Sequence, residues 1–135
     1  MAIFEWSDRF SVKVREIDEQ HEELVGMINR LHEAMVANKG RELQQEIVNE
    51  MVAYTNFHFA TEEKYMRSFG FAGYFEHKRE HEQFAAEAAE LKARVDRGGL
   101  VLTLEVMTLL KEWLQNHILG TDMQYSHLFN ANGLV

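Results

Sequence analysis

Cysteine and proline are both absent from the 135 residues. Without cysteine the chain can form neither disulfides nor thiolate metal sites. Without proline its helices go unbroken by that residue, so the glycines must mark the turns. No run of about 18 apolar residues occurs, and the opening Met1-Ala2-Ile3-Phe4-Glu5 is not a signal-peptide pattern. Basic residues are few: 14 Lys and Arg stand against 22 Asp and Glu, a formal charge of −8. That balance disfavours nucleic acid and anionic membranes as partners. These absences leave a soluble, cytoplasmic protein with no membrane insertion as the expectation. The length suits one domain with one core.

What is present is helical periodicity. Residues 1–17 read as an extended arm, with Phe10, Val12 and Val14 alternating with polar neighbours and Phe4 and Trp6 as apolar anchors. Asp18 is placed to cap a first helix, whose stripe is Leu24, Val25, Ile28, Leu31 and Met35 and whose end falls near Gly40. A second helix from about Arg41 to Phe69 aligns Ile47, Met51, Tyr54, His58, Glu62 and Tyr65. The stretch Gly70-Phe71-Ala72-Gly73 breaks it. A third helix carries Tyr74, His77, His81, Phe84, Ala88, Leu91 and Val95 and ends at Gly98-Gly99. A fourth carries Leu102, Val106, Leu109, Leu110, Trp113 and His117 and closes at Gly120. The expectation is all-α: an up-down-up-down antiparallel four-helix bundle over 18–120, with a tail over 121–135.

Five of the seven histidines fall on the apolar stripes: His21, His58, His77, His81 and His117. A lone inward histidine is usually a satisfied core residue. Five of them, buried without partners, would cost about 1–3 kcal/mol each. A shared metal centre removes that cost. His77 and His81 are spaced i, i+4, as are His58 and Glu62, so each pair shares a helix face. In an antiparallel bundle all five histidines fall at one end. Glu62 shares the face of His58, and its bland reading is an exposed charge like Glu63. Asp122 follows His117 by five residues, which on a regular helix points about 140° away. Gly120 between them can let it swing back; alone, Asp122 reads as a solvated or capping residue.

Five imidazoles give five bonds, two bridging carboxylates four, and one bridging hydroxide or oxide two. Eleven of the twelve positions of two octahedral metals are then filled, and one stays open on one metal. His32 lies about 16 Å along the axis from His21, too far to join. His127 lies in the tail.

These residues resemble the hemerythrin family: Asp18-Glu19-Gln20-His21, His58-Phe59 with Glu62-Glu63, His77 and His81, then Trp113 with His117-Ile118 and Asp122. The resemblance spans almost the whole chain and all seven ligand positions. It implies a non-haem centre of two iron ions, oxo- or hydroxo-bridged, that binds O2 reversibly. Glu62 and Asp122 would bridge the irons. His77, His81 and His117 would saturate one, and His21 and His58 would hold the other. Leu24, Phe59, Trp113, Leu114 and Ile118 would wall the O2 pocket; as apolar residues at helical spacing they also read simply as core. Many relatives have a proline-rich approach to the third helix, where this chain has Phe71-Ala72-Gly73-Tyr74.

The resemblance implies an O2 carrier, store or supply for an oxygen-using enzyme, and not an enzyme. The alternatives are an O2 or redox sensor with a signalling partner, and a di-iron oxidase or peroxidase. A sensor would normally be fused to a module for which 135 residues leave no room. The ferritin-like enzymes use Glu-x-x-His pairs, and no histidine here has a Glu three residues before it. One tetrahedral zinc cannot use seven ligands.

Overall fold

A computed structural model describes residues 3–37, 41–97 and 104–135. Every regular element among them is helical. A single 3-10 turn (Asp8–Phe10) interrupts the arm. Then come α1 (Arg15–Val36), α2 (Arg41–Ser68), α3 (Tyr74–Asp96), α4 (Leu104–Asn116), a π-helical segment (His117–Asp122) and α5 (Met123–Ala131). α1 packs along α2 and α4, and α2 along α3, giving the expected four-helix bundle. Gly40, Gly98, Gly99 and Leu102, where turns or stripe positions were expected, lie outside the described residues, as do the side chains of Val95, Val106 and Leu109.

Two boundaries differ from the sequence reading. The arm ends at Val14 rather than at residue 17, because α1 begins at Arg15 and Val14 is its N-cap. Asp18 is therefore not the cap. It lies inside the helix and reaches back, its carboxylate accepting from the Val12 N–H at 2.8 Å and the Ser11 hydroxyl at 2.5 Å. The same carboxylate chemistry that would cap a helix instead ties the arm down.

The second difference is at Gly120. The helix does not close there. It widens into the π segment and runs on as α5, so most of the tail is a further helix. Tyr125 and Phe129 on α5 are fully buried. α5 also grips the arm: Ser126 donates to the Val12 carbonyl at 2.5 Å and Asn130 to that of Lys13 at 2.9 Å. Lys13 takes a left-handed conformation (φ 61°), a cost of about 1–2 kcal/mol for a residue with a Cβ. These contacts hold it there.

The core is continuous from arm to tail. Phe4, Phe10, Val12, Val14 and Ile17 from the N-terminal side join Leu24, Ile28 and Leu31 of α1, Met66 of α2, Met107 and Leu114 of α4, and Tyr125 and Phe129. Each such side chain contributes about 1.5–3 kcal/mol by leaving water. Phe4 is also fixed by a two-way clamp with the Asn29 amide, at 3.0 and 2.8 Å. The α2–α3 connection needs no proline: Gly70 takes a positive φ of 68° and reverses the chain.

Candidate metal centre

All seven candidate ligands converge at one end of the bundle. His21 comes from α1, His58 and Glu62 from α2, His77 and His81 from α3, and His117 and Asp122 from the two ends of the π segment. None is more than 3% exposed. Carboxylates are almost never buried this deeply unless paired or bound to a metal.

The π segment explains how Asp122 arrives. On an α-helix a residue five positions on points away. In a π turn the chain closes i to i+5, so residues five apart lie one turn apart on one face. Asp122 Oδ1 consequently stands 3.0 Å from His117 Nε2. The distortion around Gly120 achieves what a helix break was expected to do.

The donor atoms form two sets that share both carboxylates. Glu62, Asp122, His77, His81 and His117 make one; Glu62, Asp122, His21 and His58 make the other. Asp122 spans them, with Oδ2 at 2.9 Å from His21 Nε2 and Oδ1 at 2.9 Å from His77 Nε2. Glu62 Oε1 lies 2.8 Å from His58 Nε2 and 3.4 Å from His81 Nε2. His81 and His117 bring their Nε2 atoms to 3.2 Å. With metal–donor bonds of about 2.1 Å, neighbouring octahedral donors stand about 3 Å apart. The cluster therefore has the edge lengths of a coordination shell.

Much of it is unsatisfied by hydrogen bonds. The Nε2 atoms of His21, His58 and His77, Glu62 Oε1 and both Asp122 oxygens are buried and make no aligned hydrogen bond, although they stand close together in the two sets. Leaving that many polar atoms unsatisfied would cost several kcal/mol, at about 1–3 each. Cations within the two sets satisfy them together, so these residues fit the metals that the sequence implies.

Electrostatics around the cluster run in opposite directions. Burial holds the His58 pKa down against the pull of Glu62. Burial also opposes charge on His117, but Asp122 lifts its pKa well above 6.5. Glu62 is held well below the carboxylate range: burial works against its charge, and His58, His117 and His81 overcome that. Asp122 is depressed too, its burial and the nearby Glu62 outweighed by His117 and His21.

Three residues outside the ligand set support it, none of them assigned a role from the sequence. Gln20 accepts the His58 Nδ1–H at 2.7 Å, with its own amide pointing to Thr61 at 3.3 Å. Glu63, expected to be an exposed charge, is instead half-buried and accepts the His81 Nδ1–H at 2.9 Å. Tyr125 donates its hydroxyl to Glu62 Oε2. Gln20 and Glu63 are chain neighbours of ligands, and Tyr125 lies one helical turn beyond Asp122, which is the signal that could have found them. His32 and His127 belong to neither donor set.

Beside the centre lies an apolar cavity of about 20 Å³. Of the five residues named for a pocket wall, Leu24, Phe59, Trp113 and Leu114 line it. Ile118 does not; it is fully buried elsewhere. Ile28, Met51, Thr55, Phe84 and Leu110 complete the wall. Phe59 stacks on His81 with ring centres 3.8 Å apart, and Trp113 stacks on His117 at 4.7 Å. The cavity wall is thus continuous with the ligand rings.

Fold and site together define a four-helix-bundle metalloprotein with a buried histidine–carboxylate centre. The family model described as "Hemerythrin HHE cation binding domain" matches residues 12–128, and the chain belongs to the hemerythrin family. A bacteriohemerythrin of Stenotrophomonas maltophilia (strain R551-3) is 36% identical over 132 residues, 98% of this chain and 85% of that one. A bacteriohemerythrin of Pseudomonas aeruginosa (strain LESB58) is 37% identical over 93% of this chain and 80% of its own length. A crystal structure of wild-type hemerythrin superimposes with a TM-score of 0.89 at 27% identity, covering 94% of this chain and 98% of that one. Members of the family bind O2 at a non-haem iron site, and the buried cluster fits that use.

Proposed function

We propose that this protein binds O2 reversibly at a centre of two irons, as a carrier, store or supply, and that it does not transform a substrate. The observation that carries this reading is the pair of donor sets joined by Glu62 and Asp122. His77, His81 and His117 would hold one iron, and His21 and His58 the other, which keeps one position for a small ligand. When bound, the irons supply the electrons that O2 borrows and returns.

The chain's own residues do the rest. Glu62 and Asp122 hold the two metal positions close together and offset their charge. Gln20 and Glu63 fix the ring orientation of His58 and His81, so that each presents Nε2 inward. Phe59, Trp113, Leu24 and Leu114 keep water from the open side.

The cavity supports binding over turnover. Its 20 Å³ is just above the roughly 10–15 Å³ that admits one water. Its lining, with Thr55 the single hydroxyl, contains no titratable group to deliver protons. The space suits a ligand of diatomic size.

The test is anaerobic reduction of the iron-loaded protein followed by stepwise O2 addition, watched by absorption spectroscopy. The expected result is a colour change that reverses when O2 is removed. Steady peroxide turnover, or an irreversible change at the first addition, would replace the carrier reading with an oxidase.

A further inference from the structure

The two halves of the centre differ in what stands behind their histidines. On the three-histidine side, His81 Nδ1–H donates to the Glu63 carboxylate at 2.9 Å, and Glu80 Oε1 stands 3.7 Å from His117 Nδ1. On the two-histidine side, His58 Nδ1–H donates to the neutral Gln20 amide at 2.7 Å, and His21 Nδ1 is buried without a hydrogen-bond partner among the described residues. Glu62 and Asp122 are common to both sides and cancel from the comparison. His77 Nδ1 and His117 Nδ1 also lack a hydrogen bond among the described residues, so the imbalance among hydrogen-bonded partners is the Glu63 carboxylate against the Gln20 amide.

We propose that Glu63 and Gln20 set the two metal positions at unequal electron-donating strength, so that the three-histidine position is the more readily oxidised. The inference rests on the di-iron reading above. A carboxylate behind an imidazole draws on its N–H proton and makes the opposite nitrogen a stronger donor, whereas an amide does so weakly. A stronger donor set stabilises the higher metal charge. The neutral Gln20 keeps the open, two-histidine position ferrous-favouring, which suits a ligand that must leave again. Gln20 is locked in place, because it is buried and its amide nitrogen is anchored on Thr61, whose hydroxyl donates to the Phe57 carbonyl at 3.1 Å. That relay leaves only the Gln20 oxygen to face His58. Glu63 is a positioning and tuning residue of the same kind, its carboxylate 2.9 Å from His81 Nδ1.

The test uses the full chain loaded with iron and resolves its two one-electron reduction steps by coulometric titration with absorption and EPR readout. Glu63→Gln keeps the hydrogen bond and removes the charge, so its iron should become easier to reduce, by about tenfold in that step's equilibrium constant. Gln20→Glu should move the other step about tenfold the opposite way. The combined swap leaves net charge unchanged and should draw the two steps together. A merely structural role would not give opposite signs. Both single variants moving the same way, or neither moving by about twofold, would overturn the proposal. If Gln20→Glu fails to fold, Glu63→Gln alone decides by the sign of its shift. Fewer than two irons in the unsubstituted protein would sink the di-iron reading itself, before any variant is compared.

Discussion

Tyr125 and Glu62 are joined by a hydrogen bond of 2.5 Å although 63 positions separate them. The phenol is fully buried, and its ring lies nearly parallel to that of His77 at 5.7 Å. Burial and the charges of Asp122 and Glu62 push the Tyr125 pKa well above 10, so it stays a donor. This bond carries α5 into the centre and fixes one oxygen of the carboxylate that would bridge the metals.

Removing that donor should therefore act on both stability and metal. Tyr125→Phe leaves a buried carboxylate oxygen short of a partner, at a cost of about 1–3 kcal/mol. Iron retention should weaken about 10–100-fold, as for other partners of metal ligands. Denaturant titration and competition with a chelator measure the two. Unchanged values in both would show that the bond is incidental.

The ligand assignment predicts a contrast between two buried-side histidines. His117→Ala should lose iron, because His117 lies in a donor set. His32→Ala should not, because His32 belongs to neither. Elemental analysis of the two purified variants separates them, and equal loss would undo the assignment.

Metal-free, the cluster should respond to pH with a defined sign. The raised His117 pKa stabilises the fold fully below about pH 6.5, and that gain is lost as pH rises through its folded value. The lowered His58 pKa acts the other way, costing stability below about 6.5 and nothing above. The depressed pKa values of Glu62 and Asp122 stabilise above about 4.5, and that gain is lost as pH falls. The iron-free chain should thus be most stable near pH 6.5 and melt earlier as pH rises. Iron displaces the His117 proton, so the loaded protein should not share that alkaline decline. Melting curves of both forms from about pH 5 to 9 check this; a flat alkaline limb in the iron-free form would contradict it.

The dry wall should protect the O2-bound form. Leu24 is buried at 4% exposure and lines the cavity. Leu24→Ala should cost about 2–5 kcal/mol and enlarge the space beside the ligand rings enough for additional water. Iron content should hold, while the O2-bound form decays to the ferric state faster. An unchanged decay rate, followed by absorption, would show that the wall does not exclude water.

Most of the architecture was legible because helix stripes repeat at about 3.6 residues and histidines on those stripes stand out. Matched depth in an antiparallel bundle puts His21, His58, His77, His81 and His117 at one end, where the structure also places them. Asp122 was harder. Its five-residue spacing from His117 fits no α-helix, and nothing in His117-Ile118-Leu119-Gly120-Thr121-Asp122 announces a π turn rather than a break. Asp18 misled for a related reason: a carboxylate near a helix start can bond forward into the helix or backward to the arm, and only packing decides. Glu63 read as a surface charge because helical period puts it off the ligand face, yet a long side chain can reach round to His81.

Two metals sharing Glu62 and Asp122 would be located by anomalous diffraction at the iron absorption edge from crystals of the iron-loaded protein. Two iron peaks per chain are expected, one among His77, His81 and His117 and one between His21 and His58, each within about 2.3 Å of a different Asp122 oxygen. A single peak, or an Asp122 carboxylate bonded to one metal alone, would rule out the shared centre.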